Sequence, residues 1–259
     1  MKQQLSQLLF LALLAAQALS VHYELDVVTG SRKYDDTDGS FVATVKGSNG
    51  EVVFGILDDP YKNDFQLGAT DNFAAESDID IGKVKCVEIE AQSDDAWMVD
   101  YITVTAGSKK TYVYNTDGSY LSSDTSEGKS MMSFCKQGDA TYVLAITTSN
   151  ATHAGTDNIH ARLTISSTKD RKGNTTTGIL DNKGKDDFIV GATDTFTLPN
   201  LKNIGKAGCI FITAAQDDAW LFDEIKVTRG KSSRTFKNKK ETWLSSDLSE
   251  GQDELEICY

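Results

Sequence analysis

The sequence is short of basic residues: 26 Lys+Arg stand against 38 Asp+Glu, a formal charge of −12 over 259 residues. Neutralising phosphates needs Lys and Arg in surplus, so a nucleic-acid binder is excluded. Histidine is scarce, with only His22, His153 and His160, and no Gly-x-Ser-x-Gly elbow occurs. No His or Cys cluster has zinc or haem spacing, and Cys-x-x-Cys is absent. The chain therefore offers no recognisable catalytic machinery. Beyond residue 20, no stretch approaches the roughly 20 apolar residues of a bilayer-spanning helix. No segment carries a helical stripe longer than about ten residues. What remains, 39% hydrophobic residues with 20 glycines, is ordinary for a globular protein and excludes bulk disorder, collagen and coiled coil.

Residues 1–20 read as a secretory signal peptide: Lys2, an apolar run from Leu8 to Ala16, then Ala18-Leu19-Ser20 with small residues placed for cleavage before Val21. Losing Lys2 with this leader takes the charge to −13. Secretion implies an oxidising compartment and disulfides.

The rest repeats. Gly55-Ile56-Leu57-Asp58 returns as Gly178-Ile179-Leu180-Asp181, an offset of 123. The same offset carries Asp64-Phe65 onto Asp187-Phe188, Asp94-Asp95-Ala96-Trp97 onto Asp217-Asp218-Ala219-Trp220, and Leu121-Ser122-Ser123-Asp124 onto Leu244-Ser245-Ser246-Asp247. Nearer each start the offset is 119, pairing Thr37-Asp38 with Thr156-Asp157, so four extra residues fall around 169–176. This predicts two domains, 21–137 and 138–259, of ordinary size. Their short junction implies that they touch or stay closely coupled. Within each copy, apolar residues alternate with polar ones, as at Tyr23, Leu25, Val27 and at Ile210, Ile212, Ala214, with turn residues between the runs. That is the pattern of half-buried antiparallel strands, and a two-sheet sandwich per copy. Trp97 and Trp220 read as core anchors.

The cysteines follow the repeat, Cys86 with Cys135 and Cys209 with Cys258, each pair 49 apart. One bridge per copy makes both domains self-contained; a cross-link between the domains is the alternative. The acids do not divide evenly: residues 21–137 carry a net −11 and residues 138–259 a net −2. The acids shared by both copies fall in three turns, at Asp38 or Asp157, Asp64 or Asp187, and Asp94-Asp95 or Asp217-Asp218. Converging within a few ångströms, such carboxylates would raise each other's pKa values unless a cation sat among them. Ca²⁺ suits an oxygen-only set from carboxylates and loop carbonyls; against that, Asp is simply a common turn residue.

These residues carry a resemblance. Gly155-Thr156-Asp157, Phe188-x-x-Gly191-x-x-Asp194-x-Phe196 and Trp220-x-x-Asp223-x-Ile225-x-Val227, with their copy-one counterparts, resemble the PLAT domain of lipoxygenases, pancreatic-type lipases, clostridial alpha-toxin and polycystin-1. Copy one departs at Asp36, where the family usually has Gly. The resemblance implies two tandem eight-stranded antiparallel β-sandwiches, an all-β fold, whose loops at one end bind Ca²⁺ and approach membranes or proteins. Carried over, the ligands are Asp36, Thr37, Asp38, Asn63, Asp64, Asp94 and Asp95, and in copy two Gly155, Thr156, Asp157, Asp186, Asp187, Asp217 and Asp218. Beside these loops, Tyr34 and Tyr61 are the membrane-contact residues of copy one, and copy two offers only His153. Asn150 and Asn174 head glycosylation sequons, the first in the same loop as Asp157. The expected function is calcium-dependent association of a secreted, non-enzymatic protein with anionic membrane lipid. The alternative is a calcium-rigidified adhesion or matrix protein with a protein or glycan partner. The basic run from Lys226 to Lys240 reads either as an anion-reading surface or as a solvated hairpin.

Overall fold

The structure is a computed structural model that describes residues 20–30, 34–116, 118–156, 161–171, 173–182, 184–214 and 218–259. The signal-peptide reading of residues 1–20, bar Ser20, and the ligand candidates Asp157 and Asp217 lie outside them. Within copy one the strands are β1 (Val21–Thr29), β2 (Phe41–Gly47), β3 (Glu51–Ile56), β4 (Thr70–Ser77), β5 (Val84–Ala91), β6 (Val99–Ala106), β7 (Lys109–Tyr114) and β8 (Met131–Cys135). Copy two repeats the order with β9 (Ala140–Thr148), β10 (Ala161–Ser166), β11 (Thr175–Ile179), β12 (Thr193–Leu201), β13 (Cys209–Ala214), β14 (Phe222–Arg229), β15 (Ser232–Lys237) and β16 (Glu254–Cys258). The sheets are β4-β1-β6-β7 and β3-β2-β5-β8, then β12-β9-β14-β15 and β11-β10-β13-β16, antiparallel throughout. The all-β tandem sandwich read from the alternation is thus present in both copies, and no helix among the described residues could cross a membrane.

The alternating residues face inward as their period of two requires. Tyr23, Leu25 and Val27 are fully buried in one core, and Tyr142, Leu144 and Ile146 in the other. Trp97 and Trp220 sit at the ends of these cores. Each donates its indole N–H to a buried threonine, Thr29 Oγ1 at 3.0 Å and Thr148 Oγ1 at 3.2 Å. The backbones of Trp97 and Leu121 bond reciprocally, as do those of Trp220 and Leu244, so the repeated Leu-Ser-Ser-Asp segment ties the β7–β8 and β15–β16 crossovers to the tryptophans. Disulfides join Cys86 to Cys135 and Cys209 to Cys258, each between paired strands of one sheet.

The two copies are in contact. Tyr114 of β7 is buried in the second copy's core, with Tyr101 and Tyr112 packed beside it. The Tyr114 hydroxyl donates to the Pro199 carbonyl at 3.1 Å, and the Tyr112 amide donates to Asn200 Oδ1 at 2.9 Å. The register of β12 against β9 breaks between Leu198 and Leu201, and Asn200 adopts φ +60, which brings its side chain to the Tyr112 amide. Asp100, 4% exposed, accepts the Ile179 amide at 2.8 Å. Gly178 closes the seam: a Cβ there would stand 2.9 Å from Tyr114 Cδ1 and 3.2 Å from Asp100 Oδ1. Gln137 at the junction binds β11, accepting from Thr175 Oγ1 at 2.7 Å and donating to the Thr176 carbonyl at 2.7 Å.

Candidate functional site

The three acidic turns of copy one meet at the Trp97 end of the sandwich. A cleft of about 460 Å³ is lined by Tyr34, Asp36, Thr37, Asp38, Asn63, Gln66, Asp95 and Glu127 among others. A neighbouring cleft of about 350 Å³ shares Thr37, Asp38 and Asn63 and adds Asp58 and Asp64. Thr37 and Asp95 are locked together, since Asp95 Oδ2 accepts the Thr37 hydroxyl at 2.7 Å and the Asp38 amide at 2.8 Å. Asp36, Thr37, Asp38, Asn63 and Asp95 are therefore brought to one cleft.

Asp64 and Asp94 behave differently. Asp64 turns into its own loop, where Oδ2 accepts the Asp59 amide at 2.5 Å. Oδ1 is buried without a hydrogen bond, its nearest cation being Lys62 Nζ at 3.6 Å. Burial pushes its pKa above the ordinary aspartate value. Lys62 gives its short contact, 2.7 Å, to Asp71, whose other oxygen accepts the Phe65 amide. Phe65 is held at φ +59, and Phe188 in copy two at φ +61, where Asp194 performs the same service at 2.7 Å. Asp94 is exposed and lines neither cleft; its carbonyl accepts the Ser122 hydroxyl.

In copy one the four carboxylates do not gather within a few ångströms of one another, and in copy two Asp157 and Asp217 lie outside the described residues. Among the described residues, the one cluster of three candidate metal-binding groups within 4.8 Å is Cys209, Glu256 and Cys258, and its two sulfurs are bonded to each other. The acids of copy one instead line two adjoining clefts. Their fit to Ca²⁺ rests on an oxygen-only donor set and on Asp64 Oδ1, buried without a hydrogen bond and 3.6 Å from Lys62 Nζ. The sequence reading missed Asp58 and Glu127. Glu127 had a signal, since Glu250 repeats it three residues beyond the Ser-Ser-Asp motif.

In copy two, Thr156 is buried, Gly155 partly buried, and Asp186 and Asp218 exposed. Asp187 repeats the inward turn of Asp64, accepting the Asn182 amide at 2.5 Å and its side-chain amide at 2.8 Å. The departure at Asp36 coincides with a difference in how the neighbouring loop approaches. A Cβ on Gly155 would stand 2.8 Å from the Val190 amide nitrogen and 3.0 Å from its side chain, so the Phe188–Gly191 loop presses on Gly155. Copy one has Gln66-Leu67 in place of Ile189-Val190, and Asp36 sits there partly exposed, lining the cleft beside Gln66.

Tyr34 is 72% exposed and Tyr61 94%. Copy two is not limited to His153: Ile189 and Val190 are 49% and 45% exposed, and Leu67 is 46% exposed in copy one. Because Phe188 is buried at a left-handed φ, the two residues after it are turned outward. Asn150 is exposed and Asn174 is exposed just before β11. Asn150 lies against Gly191, at the foot of the Ile189–Val190 tip.

The family model described as PLAT/LH2 domain matches this chain twice, at residues 23–132 and 142–256. Lipoxygenase homology domain-containing protein 1 of Mus musculus is 29% identical over 111 residues, 42% of this chain and 5% of its own length. Its Homo sapiens counterpart is 32% identical over 88 residues, 33% of this chain and 4% of its own length. The allene oxide synthase-lipoxygenase protein of Plexaura homomalla is 26% identical over 78 residues, 30% of this chain and 7% of its own length. The chain thus spans only a small part of these relatives. Among solved structures, coral 8R-lipoxygenase, described as calcium-activated through a C2-like domain, aligns with TM-score 0.39 and 18% identity, over 46% of this chain and 17% of that one.

Proposed function

Because the chain belongs to the PLAT/LH2 domain family and carries that module twice, we propose that it is a secreted, non-enzymatic protein that binds Ca²⁺ through its loop oxygens and docks on anionic membrane lipid. The observation that carries this reading is the oxygen-lined cleft of copy one, with Tyr34 on its wall and the exposed Tyr61 and Leu67 on the adjoining loops. Asp36, Asp38, Asn63 and Asp95 would hold the ion there, with Asp64 as the buried oxygen in reserve. In copy two the corresponding set is Asp157, Asp186, Asp217 and Asp218, with Gly155 and Thr156 shaping the loop. Bound calcium supplies charge neutralisation at the cleft and a bridge to anionic head groups. The exposed tips add apolar burial, worth a few kcal/mol at about 25 cal/mol/Å². The two disulfides support an oxidising, extracellular setting.

Co-sedimentation with phosphatidylserine vesicles tests the reading. Pelleting in millimolar calcium and release by chelator is the expected result; equal behaviour in both conditions overturns it. Asp38 offers no side-chain hydrogen bond or ion pair to the fold among the described residues. Asp38→Ala is therefore expected to weaken the calcium-induced rise in melting temperature without lowering the calcium-free value. The stabilisation behind that rise is about 2.7 kcal/mol when free calcium is a hundredfold above its dissociation constant. Ile189→Ser with Val190→Ser is expected to leave calcium binding intact and to reduce vesicle binding several-fold.

Asn150 favours the second reading. A glycan there would stand beside Gly191 and screen the Ile189–Val190 tip, leaving a protein or glycan partner, as in an adhesion or matrix protein. Calcium binding with no vesicle pelleting, for the glycosylated and the Asn150→Gln chain alike, selects it.

A further inference from the structure

In copy one, the flank formed by β7 is covered, because Tyr112 and Tyr114 lie against β12 of the other copy. The same flank of copy two, between β15 and β16, is open. The repeat places Thr235 and Lys237 where copy one has Tyr112 and Tyr114, Arg234 in place of Thr111, and Lys239 in place of Thr116. A face that seats a protein edge in one copy has become cationic in the other. It forms a groove of about 660 Å³ lined by Lys206, Arg234, Thr235, Lys237, Lys239 and Tyr259 among others.

The cations in this groove are only partly spent on the fold. Arg234 is half-buried, bonded to the Ala207 carbonyl, and lies 4.0 Å over the ring of Tyr259. Lys237 Nζ is 3.5 Å from Glu224. Lys206 and Lys239 are exposed, and no carboxylate pairs with either among the described residues. The patch also sits on the copy whose net charge is −2, so the field there is not overwhelmed by acids as it would be on copy one.

We propose that this groove binds a sulfated oligosaccharide. Its shape and position favour an extended soluble polyanion over a bilayer. The groove runs along the flank from Lys206, past β12 and at the opposite end of the sandwich from the Ile189–Val190 tip, to Lys237 and Lys239, beside the start of β14. A flat membrane meeting that tip would reach one end of the groove and not its length, which an extended chain can follow. The lining pairs fixed cations with hydroxyl groups, and Tyr259, 82% exposed, gives a ring face with a polar edge, matching the mixed apolar and polar surface of a sugar.

The test uses the full chain in chelator, which removes the calcium loops from play, and titrates a heparin-derived octasaccharide by calorimetry. The expected result is binding that weakens steeply with salt, with no binding of the desulfated octasaccharide or of phosphatidylserine vesicles. Lys206→Ala and Lys239→Ala should each weaken it about threefold to tenfold with unchanged melting temperature. Lys109→Ala with Lys110→Ala, on copy one, should leave it unaltered. Binding indifferent to Lys206 and Lys239, equal loss from the copy-one pair, or vesicle binding in chelator through the same lysines overturns the proposal. None of these outcomes bears on calcium-dependent docking, which is read in the presence of the ion and through other residues.

Discussion

Asp100→Asn is expected to stabilise the tandem at neutral pH and above and to flatten its stability between about pH 4 and 7. Asp100 is buried in the seam between the copies, and burial pushes its pKa from 3.8 up to about 7, against the opposing pull of the Ile179 amide and the Arg162 charge. The nearby charges of Asp181 and Asp35 push in the same direction as burial. A carboxyl with a raised folded pKa binds its proton more tightly in the native state than in the unfolded one. Its contribution to stability is therefore fully present below about pH 4. It declines as the pH climbs through 7, because the folded protein must then ionise a group held away from water. The total cost is of the order of a few kcal/mol. Asparagine keeps an oxygen for the Ile179 amide and never ionises. Denaturation midpoints of the two proteins should be similar near pH 3.5 and diverge progressively between about pH 4 and 7, the variant then melting several degrees higher, at roughly 2–4 °C per kcal/mol for a chain of this size. Asp64 and Asp194 are also shifted upward by burial, but they are common to both proteins, so the difference isolates Asp100. Parallel pH curves would refute the assignment.

The strands, the sandwich class and the repeat were all legible because they are local. Alternation of apolar and polar residues sets which face is buried, and an offset of 123 needs only the sequence. The seam was not legible. Trp97-x-x-Asp100 and Trp220-x-x-Asp223 read alike, yet Asp100 is buried and Asp223 exposed, because one sandwich edge meets the other copy and its counterpart does not. No pattern within the motif distinguishes them. Tyr112 and Tyr114 against Thr235 and Lys237 are the visible trace of that difference, and it acquires meaning only when the partner surface is known.

The cleft was legible in part for a similar reason. Residue types and turns located Asp36, Asp38, Asn63 and Asp95 together, whereas the direction of Asp64 depends on the Asp59 amide of its own loop, which donates to it. Ile189 and Val190 escaped notice as the variable positions of a motif defined by its buried Phe188.

The largest loss is expected from Trp220→Ala. Trp220 is fully buried, its ring 4.8 Å from Phe188 and 5.2 Å from Phe222, and its indole N–H is bonded to Thr148. Truncating such a side chain costs about 3–5 kcal/mol in transfer and cavity terms. It also strands the buried Thr148 hydroxyl and loosens the crossover held by the paired backbones of Trp220 and Leu244. The damage should not stop at copy two. Tyr114 belongs to the second core, with Tyr101 and Tyr112 packed on it, so β6 and β7 draw part of their stability from a core that the substitution opens. Hydrogen exchange should therefore show the amides of Lys109–Tyr114 losing protection together with those of β9 and β14, while β2 and β5, on the far sheet of copy one, keep theirs. Trp97→Ala gives the complementary measurement, since it opens the first core and spares the second. If β7 stays fully protected in Trp220→Ala, the two sandwiches unfold independently, and the seam orients them without coupling their stability.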